Sequence, residues 1–314
     1  MKVVIAGGAG TLGRRLADDR ARRGDEVTIL TRRPRDGISH RQVTWDGRTV
    51  GPWSEELEGA VLVNLAGELV DKRPTPSNLE LLRRSRVEPT GALVAAASTL
   101  VTPPRLWLQM STLAIYGDSG QAIVEEGHPV ADGPPQMAGV ARPWEQAVEG
   151  AAADRLVILR TGIVLDRGTP ALDRLVRLAR LGLGGRISTG TQWVSWAHCA
   201  DFLDAVHFIC DHPDLAGVVH VTAPGPVPNR DMMASLRKAV RRPWAPPTPR
   251  PLVHLGALAL RTDPALALTG RRCVPRRLLD AGFGFRYPTF GPAVHDLLRG
   301  PEVGSRSGRA KPLE

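Results

Sequence analysis

A short apolar run, Lys2-Val3-Val4-Ile5-Ala6, leads directly into Gly7-Gly8-Ala9-Gly10-Thr11-Leu12-Gly13, and a helical pattern over Leu12–Arg23 comes at once after it. A strand, a glycine turn and a helix in that order leave few options. Gly7 suits a tight turn, Gly10 lets the backbone come close to a pyrophosphate, and Gly13 allows close helix–strand contact. The N-terminus of the helix then offers unpaired N–H groups to an anion. Gly7, Gly10, Thr11, Leu12 and Gly13 are therefore candidate contacts to a dinucleotide, on a Rossmann-type α/β fold.

The rest of the chain keeps the same cadence. Strand-like runs at Lys2–Ala6, Glu26–Thr31, Val61–Leu65, Arg105–Ser111, Leu156–Arg160 and Val218–Thr222 alternate with helical patterns at Leu12–Arg23, Asn78–Ser98, Gly139–Ala153 and Cys199–Asp211. Such alternation predicts βαβ units and a doubly wound parallel sheet. After Pro224 the texture changes. Residues Arg242–Pro251 hold too many prolines for a helix or a central strand and read as an extended connector, with helical stretches beyond it at Leu252–Leu260, Arg276–Ala281 and Pro292–Arg299. The expected division is a Rossmann domain over 1–225 that contributes part of a substrate cleft, a small, mostly helical substrate lobe over 226–299, and a frayed polar tail over 300–314. No internal repeat is visible.

The cofactor type turns on the residues just after the second strand. An acidic residue there would accept from a ribose 2′-hydroxyl, but the strand ends in Arg32-Arg33 with no acid before Asp36. Guanidinium groups favour a 2′-phosphate by charge and by bidentate geometry, so the expectation is NADP(H) over NAD(H). The formal net charge of +9 does not redirect the reading to nucleic acid: all but four of the 41 basic residues are arginine, and no run of five like charges or aromatic-rich basic stripe occurs. Cys199, Cys210 and Cys273 lack CxxC or CxxH spacing, which fits reduced, packed thiols, and the eight histidines show no metal-ligand spacing. The opening apolar run is too short for a signal peptide, and no stretch approaches the roughly 20 apolar residues that cross a bilayer. A cytoplasmic protein without a membrane or nucleic-acid partner, acting on a small molecule and possible as a homodimer, is the expectation.

Further along the chain stand Asn64-Leu65-Ala66-Gly67-Glu68, Lys72-Arg73, Ser85-Arg86 with Thr90, Leu159-Arg160-Thr161-Gly162-Ile163-Val164-Leu165, Gly182-Leu183-Gly184-Gly185, Gly190-Thr191-Gln192-Trp193-Val194-Ser195-Trp196-Ala197-His198 with Asp201, Thr222-Ala223-Pro224, and the tail motif Pro275-Arg276-Arg277-Leu278-Leu279-Asp280-Ala281-Gly282-Phe283-Gly284-Phe285. With the glycine loop, these resemble the extended short-chain dehydrogenase/reductase superfamily, in its nucleoside-diphosphate-sugar-epimerase-like branch that ends in a small C-terminal domain of unknown role. The resemblance implies a nicotinamide near Leu65, Ala66 and Gly67 and near Arg160, Thr161 and Gly162, facing a cleft under the C-terminal lobe. By family position, Glu68, Gln192, Trp196 and His198 become candidate substrate contacts. For His198 and Asp201 a structural role at a helix start stays open beside that reading.

Superfamily chemistry uses a Ser or Thr after the fifth strand with a Tyr and Lys four residues apart. The lysine charge lowers the tyrosine pKa from about 10. Here that pair is missing: the only tyrosines are Tyr116 and Tyr287, four residues before Gly120 and Gly291, and no lysine lies between Lys72 and Lys238. Met137 and Ala141 stand where the pair would align. Thr112, four residues before Tyr116-Gly117, maps onto the hydroxyl that bonds the reacting oxygen, and Ser111 and Tyr116 complete the candidate catalytic set, with Tyr116 as a proton donor or only a pocket wall. Three readings remain. One is an NADP(H)-dependent oxidoreductase or epimerase acting on a small polar molecule; the second is a non-redox dehydratase, isomerase or cyclase on the same scaffold; the third is a catalytically silent NADP(H)-sensing or partner-binding protein.

Overall fold

The computed structural model describes residues 1–299, so the expected tail over 300–314 lies outside the described residues. Seven strands form one sheet: β1 (Lys2–Ala6), β2 (Glu26–Thr31), β3 (Arg41–Thr44), β4 (Val61–Asn64), β5 (Leu106–Thr112), β6 (Leu156–Thr161) and β7 (Gly217–Val221). Their order is β7-β6-β5-β4-β1-β2-β3, with every pair parallel. The order reverses between β1 and β4, which opens a crevice at the carboxyl ends of those strands.

Alternation along β1 shows how the sheet is held. Val3 and Ile5 face one side and pack with Leu16, Ile29, Phe202 and Ile209, while Val4 and Ala6 face the other with Leu30, Trp45, Trp53, Trp107 and Leu93. Helices α1 (Thr11–Arg22) and α5 (Cys199–Asp211) cover the first face, and α2 (Pro76–Ala97) covers the second. Both faces are therefore buried, which is why the central strands read as continuous apolar runs. β3 breaks that rule and carries only one apolar residue, Val43; as an edge strand it lies outside the six expected.

Helix α3 (Ala138–Gln146) comes after β5 and ends well short of Ala153, the end that its sequence pattern predicts. Two helices outside the expected set, α4 (Pro170–Arg180) and α6 (Asn229–Ala239), pack with α10 (Phe290–Arg299) around Leu172, Val176, Met233, Leu236, Val294 and Leu297 to make a separate apolar cluster. The proline-rich connector stays extended as far as Pro249, where α7 (Arg250–Leu260) begins; α8 (Ala265–Leu268) and α9 (Arg276–Asp280) complete the lobe. Two short parallel ladders lie outside the main sheet: Ile163–Leu165 pairs with Trp196–His198, and Ile123–Val124 pairs with Arg272–Cys273 of the C-terminal region. Among the described residues no helix is long and apolar enough to cross a membrane, and no cluster of His, Cys, Asp and Glu could hold a metal ion.

Candidate functional site

The glycine loop closes on the sheet through packing. Gly7 has φ +76°, and a Cβ there would lie 2.9 Å from the Ala66 backbone; a Cβ on Gly13 would lie 2.6 Å from Gly8 Cα. Gly10 is different. Its hypothetical Cβ meets nothing closer than Gly7 O at 3.4 Å, so nothing within the chain requires a glycine there. Beside it lies a cleft of about 1430 Å³, lined by Gly7, Ala9, Gly10, Leu65, Ala66, Gly67 and Glu68 among others. Gly10 also precedes α1, whose first turn holds no acidic residue and whose N-terminus has no side-chain cap. Its free N–H groups suit an anion.

Arg32 and Arg33, both exposed at the end of β2, line the same cleft. The Thr31 hydroxyl donates to Arg33 O at 3.0 Å and fixes the turn that presents them. Arg35 joins them, with its Nη1 donating to Ala9 O in the glycine loop at 3.4 Å. Sequence reasoning misses this third guanidinium because Pro34 separates it from the pair; its signal is the repeat of arginine at 32, 33 and 35 ahead of the first acid.

The opposite wall is β4 and its turn. Asn64 Nδ2 donates to Thr90 Oγ1 and Gln109 Oε1, both at 3.0 Å, and Asn64 Oδ1 accepts from Ala66 N at 3.1 Å, so a buried amide sets the Leu65-Ala66-Gly67 turn. Behind it, Arg86 donates to Glu68 O at 2.8 Å and lies over the Trp144 ring at 5.0 Å. Burial without a paired carboxylate lowers its pKa to about 10.

The ends of β5 and β6 carry a buried polar network. Arg160 forms a bidentate pair with Glu145 of α3 at 2.9 and 2.7 Å, and the Ser111 hydroxyl donates to the same carboxylate. Arg160 Nη1 also donates to the Tyr116 oxygen at 2.7 Å, and the Tyr116 hydroxyl lies 2.7 Å from His220 Nε2. His220 Nδ1 faces Val274 O at 3.0 Å. A carbonyl only accepts, which puts the imidazole proton on Nδ1 and makes Nε2 the acceptor from Tyr116. Burial dominates both titrations, pushing the phenol up to about 12 and the imidazole down to about 4. Ser111 and Tyr116 are 2% and 3% exposed, so neither hydroxyl reaches the cleft. Thr112 remains half-buried; its Oγ1 accepts from Ala114 N at 3.1 Å and keeps its own proton free. Thr161 donates to Leu159 O, and a Cβ on Gly162 would lie 2.9 Å from Ser195 O, so the Ser195 segment packs tightly on the end of β6. Met137 and Ala141 are buried.

The candidates further along the chain sit elsewhere. Gln192 Nε2 donates to Ile187 O and Ala267 O. Trp196 is wholly buried against Phe290, with its Nε1 donating to Gly225 O at 3.0 Å. His198 accepts from Ala200 N to cap α5, stacks on Tyr287 at 4.0 Å and faces Asp296 at 3.3 Å, with burial holding its pKa down. Asp201 accepts from Arg286 N and Tyr287 N. The structure thus gathers Ser111, Thr112, Tyr116, Arg160 and Thr161 at one strand edge, Glu68 at the cleft, and leaves Gln192, Trp196 and His198 against Ala267, Phe290 and Tyr287 of the C-terminal region. Glu145 and His220 lie outside the candidate set drawn from sequence; Glu145 is the one acidic residue of α3 and directly follows the buried Trp144, which was the available signal for it.

Residues 3–138 match the NAD dependent epimerase/dehydratase family, and residues 248–297 match a domain of unknown function, DUF1731. The epimerase family protein SDR39U1 of Bos taurus is 30% identical over 303 residues, spanning 95% of this chain and 100% of the relative. An epimerase family protein of Mycobacterium tuberculosis, MT2273, is 31% identical over 301 residues, with 93% and 96% covered. Among solved structures, human SDR39U1 (isoform 2), crystallised with NADPH, superposes with a TM-score of 0.84 at 29% identity, covering 96% of this chain and 100% of that one.

Proposed function

This chain belongs to the NAD-dependent epimerase/dehydratase family, and from that premise we propose that it is an NADP(H)-dependent oxidoreductase or epimerase acting on a small polar carbonyl compound or its alcohol. The observation that carries the cofactor choice is the trio Arg32, Arg33 and Arg35 beside a glycine loop whose Gly10 faces open cleft. Gly10, Thr11, Leu12 and Gly13 would hold the pyrophosphate, the arginines the 2′-phosphate, and Leu65–Gly67 with Thr161–Gly162 would flank the nicotinamide. The relative that was crystallised with NADPH supports the same reading.

When bound, NADP(H) supplies or accepts a hydride at a carbon of the substrate. Thr112 would donate the hydrogen bond to the reacting oxygen; its Oγ1 accepts from Ala114 N and its own proton is free, which supports that role. We assign Tyr116 a positioning role: its oxygen accepts from Arg160 and its proton goes to His220, and a phenol near pKa 12 does not serve as a base. Ser111, Glu145 and Arg160 hold the strand ends in register. No lysine and no free base stands at this edge among the described residues, so in carbonyl reduction the alkoxide left by hydride delivery would take its proton from solvent or through Thr112, and alcohol oxidation would return it by the same route. The lobe that begins near residue 226 would cover the substrate.

A second reading, an NADP(H)-sensing or partner-binding protein, draws on Met137 and Ala141, which are apolar and buried where the superfamily places its Tyr and Lys. The two share the cofactor and part on turnover. Calorimetric titration should give NADPH at least a several-fold advantage over NADH, reduced in Arg32→Ala or Arg33→Ala. Equal affinities in the unmodified protein would overturn the NADP(H) assignment, whereas NADPH binding with no oxidation by any carbonyl compound would favour the sensor.

A further inference from the structure

We infer that Arg271 forms an anion subsite on the substrate side, so that the substrate carries a carboxylate or phosphate besides its reacting oxygen. That this anion belongs to a substrate rests on the redox reading above; the site itself is read from the lobe.

Arg271 immediately precedes the short strand Arg272–Cys273, which pairs with Ile123–Val124. Cys273, two residues on, packs in one buried cluster with Ala141, and Arg271 Nη2 lies 3.8 Å from Met137 Sδ. These are the two α3 positions at which the superfamily's Lys and Tyr would align. The backbone of Arg271 is fixed on both sides, its N donating to Trp193 O at 2.9 Å and its O accepting from the Ser195 hydroxyl at 2.9 Å. Only the side chain is left without a counterpart. Nη2 donates to Thr269 Oγ1 at 3.3 Å, a neutral acceptor whose own proton goes to Ala265 O, and the thioether is a weak one. Nε is enclosed and has no partner. Asp118, the nearest acid, is not within ion-pair distance and accepts instead from Gly120 N and Gly270 N.

Other buried cations near the cleft are provided for: Arg160 has Glu145, and Arg86 has two carbonyls and the Trp144 face. Arg271 is half-buried with its Nε enclosed; a guanidinium so placed without an anion is costly, and burial lowers its pKa. A ligand oxyanion would offset that cost. Gln136, the residue before Met137, points the same way, because it is buried at 4% exposure with its Nε2 enclosed and unpartnered. Arg271 lies against the Met137 thioether and Gln136 is its chain neighbour; a guanidinium and an amide with idle donors both recognise a planar or tetrahedral oxyanion.

The test uses matched carbonyl pairs on the NADPH-loaded full-length protein: 2-oxobutyrate against 2-butanone, and dihydroxyacetone phosphate against dihydroxyacetone. Binding is read from NADPH fluorescence. We expect the anionic member of at least one pair to bind on the order of tenfold more tightly, the preference to vanish in Arg271→Met and to survive in part in Arg271→Lys, and NADPH affinity to stay unchanged in both. The pair that shows the effect separates carboxylate from phosphate. Thermal unfolding of the nucleotide-free protein in sodium phosphate or sodium acetate gives a second readout, with an anion-dependent rise in Tm that Arg271→Met abolishes. No preference in either pair, a preference that survives Arg271→Met, or a Tm unresponsive to both anions would overturn the proposal. Failure of NADPH to bind would instead sink the redox reading and leave the anion-dependent Tm as the measure of this site.

Discussion

A buried imidazole held neutral by its surroundings gives the Arg160–Tyr116–His220 network a measurable signature. His220 is 0% exposed, receives the Tyr116 proton on Nε2, and has its pKa lowered to about 4, first by burial and then by the nearby Arg160 charge, against a stabilising bond to Val274 O. An unfolded histidine titrates near 6.5, so between about 6.5 and 4 the unfolded chain binds a proton that the folded chain does not. Stability therefore falls as pH drops through that window, by at most about 3 kcal/mol from this group, and is flat with respect to it above pH 7. Denaturant unfolding from pH 7.5 to 4.5 should show this slope, and His220→Gln should flatten it while lowering stability at neutral pH. An unchanged slope in that variant would mean that other groups set the acid limit. The same residues explain what the sequence conceals. Tyr116 reads as catalytic because it precedes a glycine four residues after Thr112, but only the fold brings His220 and Arg160, 104 and 44 residues away, onto its oxygen.

At the scale of elements, the glycine loop separates packing from binding. A methyl group on Gly13 would collide with Gly8 backbone atoms at 2.6 and 2.8 Å, and neither segment can move without shifting α1 from the sheet. Gly13→Ala should therefore cost about 1–3 kcal/mol of stability. Gly10→Val should leave the circular dichroism spectrum and the melting temperature near normal while abolishing NADPH binding, since its side chain would enter the cleft. A Gly10→Val protein that still binds tightly would show the loop to be a structural turn only. The buried elements were the legible ones: β1, β2, β4, β5, β6 and β7 announce themselves by apolar runs, and α5 by its spacing over Cys199–Asp211. β3 did not, because an edge strand of sequence RQVT needs little burial. α4 has its apolar residues at Leu172, Val176 and Ala179, but glycines and a proline on either side disguise it as loop. The proposed nucleotide half of the site rests on the same local backbone as α1, which is why the sequence alone suggests it. The substrate half depends on how lobe and sheet meet, which places Trp196 in a core and Arg271 against α3.

For the whole molecule, the cleft is tied to α4 and α7 as well as to the sheet, so cofactor binding should be felt globally. The segment after Gly67 and Glu68 is anchored to α4 by the Arg174–Asp71 pair at 2.8 and 2.5 Å and to α7 by Arg73, which donates to Leu258 O at 2.6 Å. A ligand that orders the Gly67 turn thus stabilises contacts on the lobe as well as on the sheet. At a concentration one hundred times its Kd, NADPH should add about 2.7 kcal/mol to unfolding, a rise of several degrees in Tm. NADH at the same concentration should give a smaller rise, less by about 1.4 kcal/mol for each tenfold difference in affinity. Charge alone could mimic this result, because the chain carries a formal +9 and any polyanion is attracted to it. The double variant Arg32→Ala/Arg33→Ala decides between them. It removes only two of 41 basic residues, so a general attraction would persist nearly intact, whereas a specific 2′-phosphate site would lose the NADPH advantage and leave the NADH response in place. Salt sharpens the comparison, since raising it to about 0.5 M screens diffuse attraction more than a bidentate contact. A Tm advantage of NADPH over NADH that survives both the double variant and the added salt would place 2′-phosphate recognition away from Arg32 and Arg33, with Arg35 at the glycine loop as the next residue to replace.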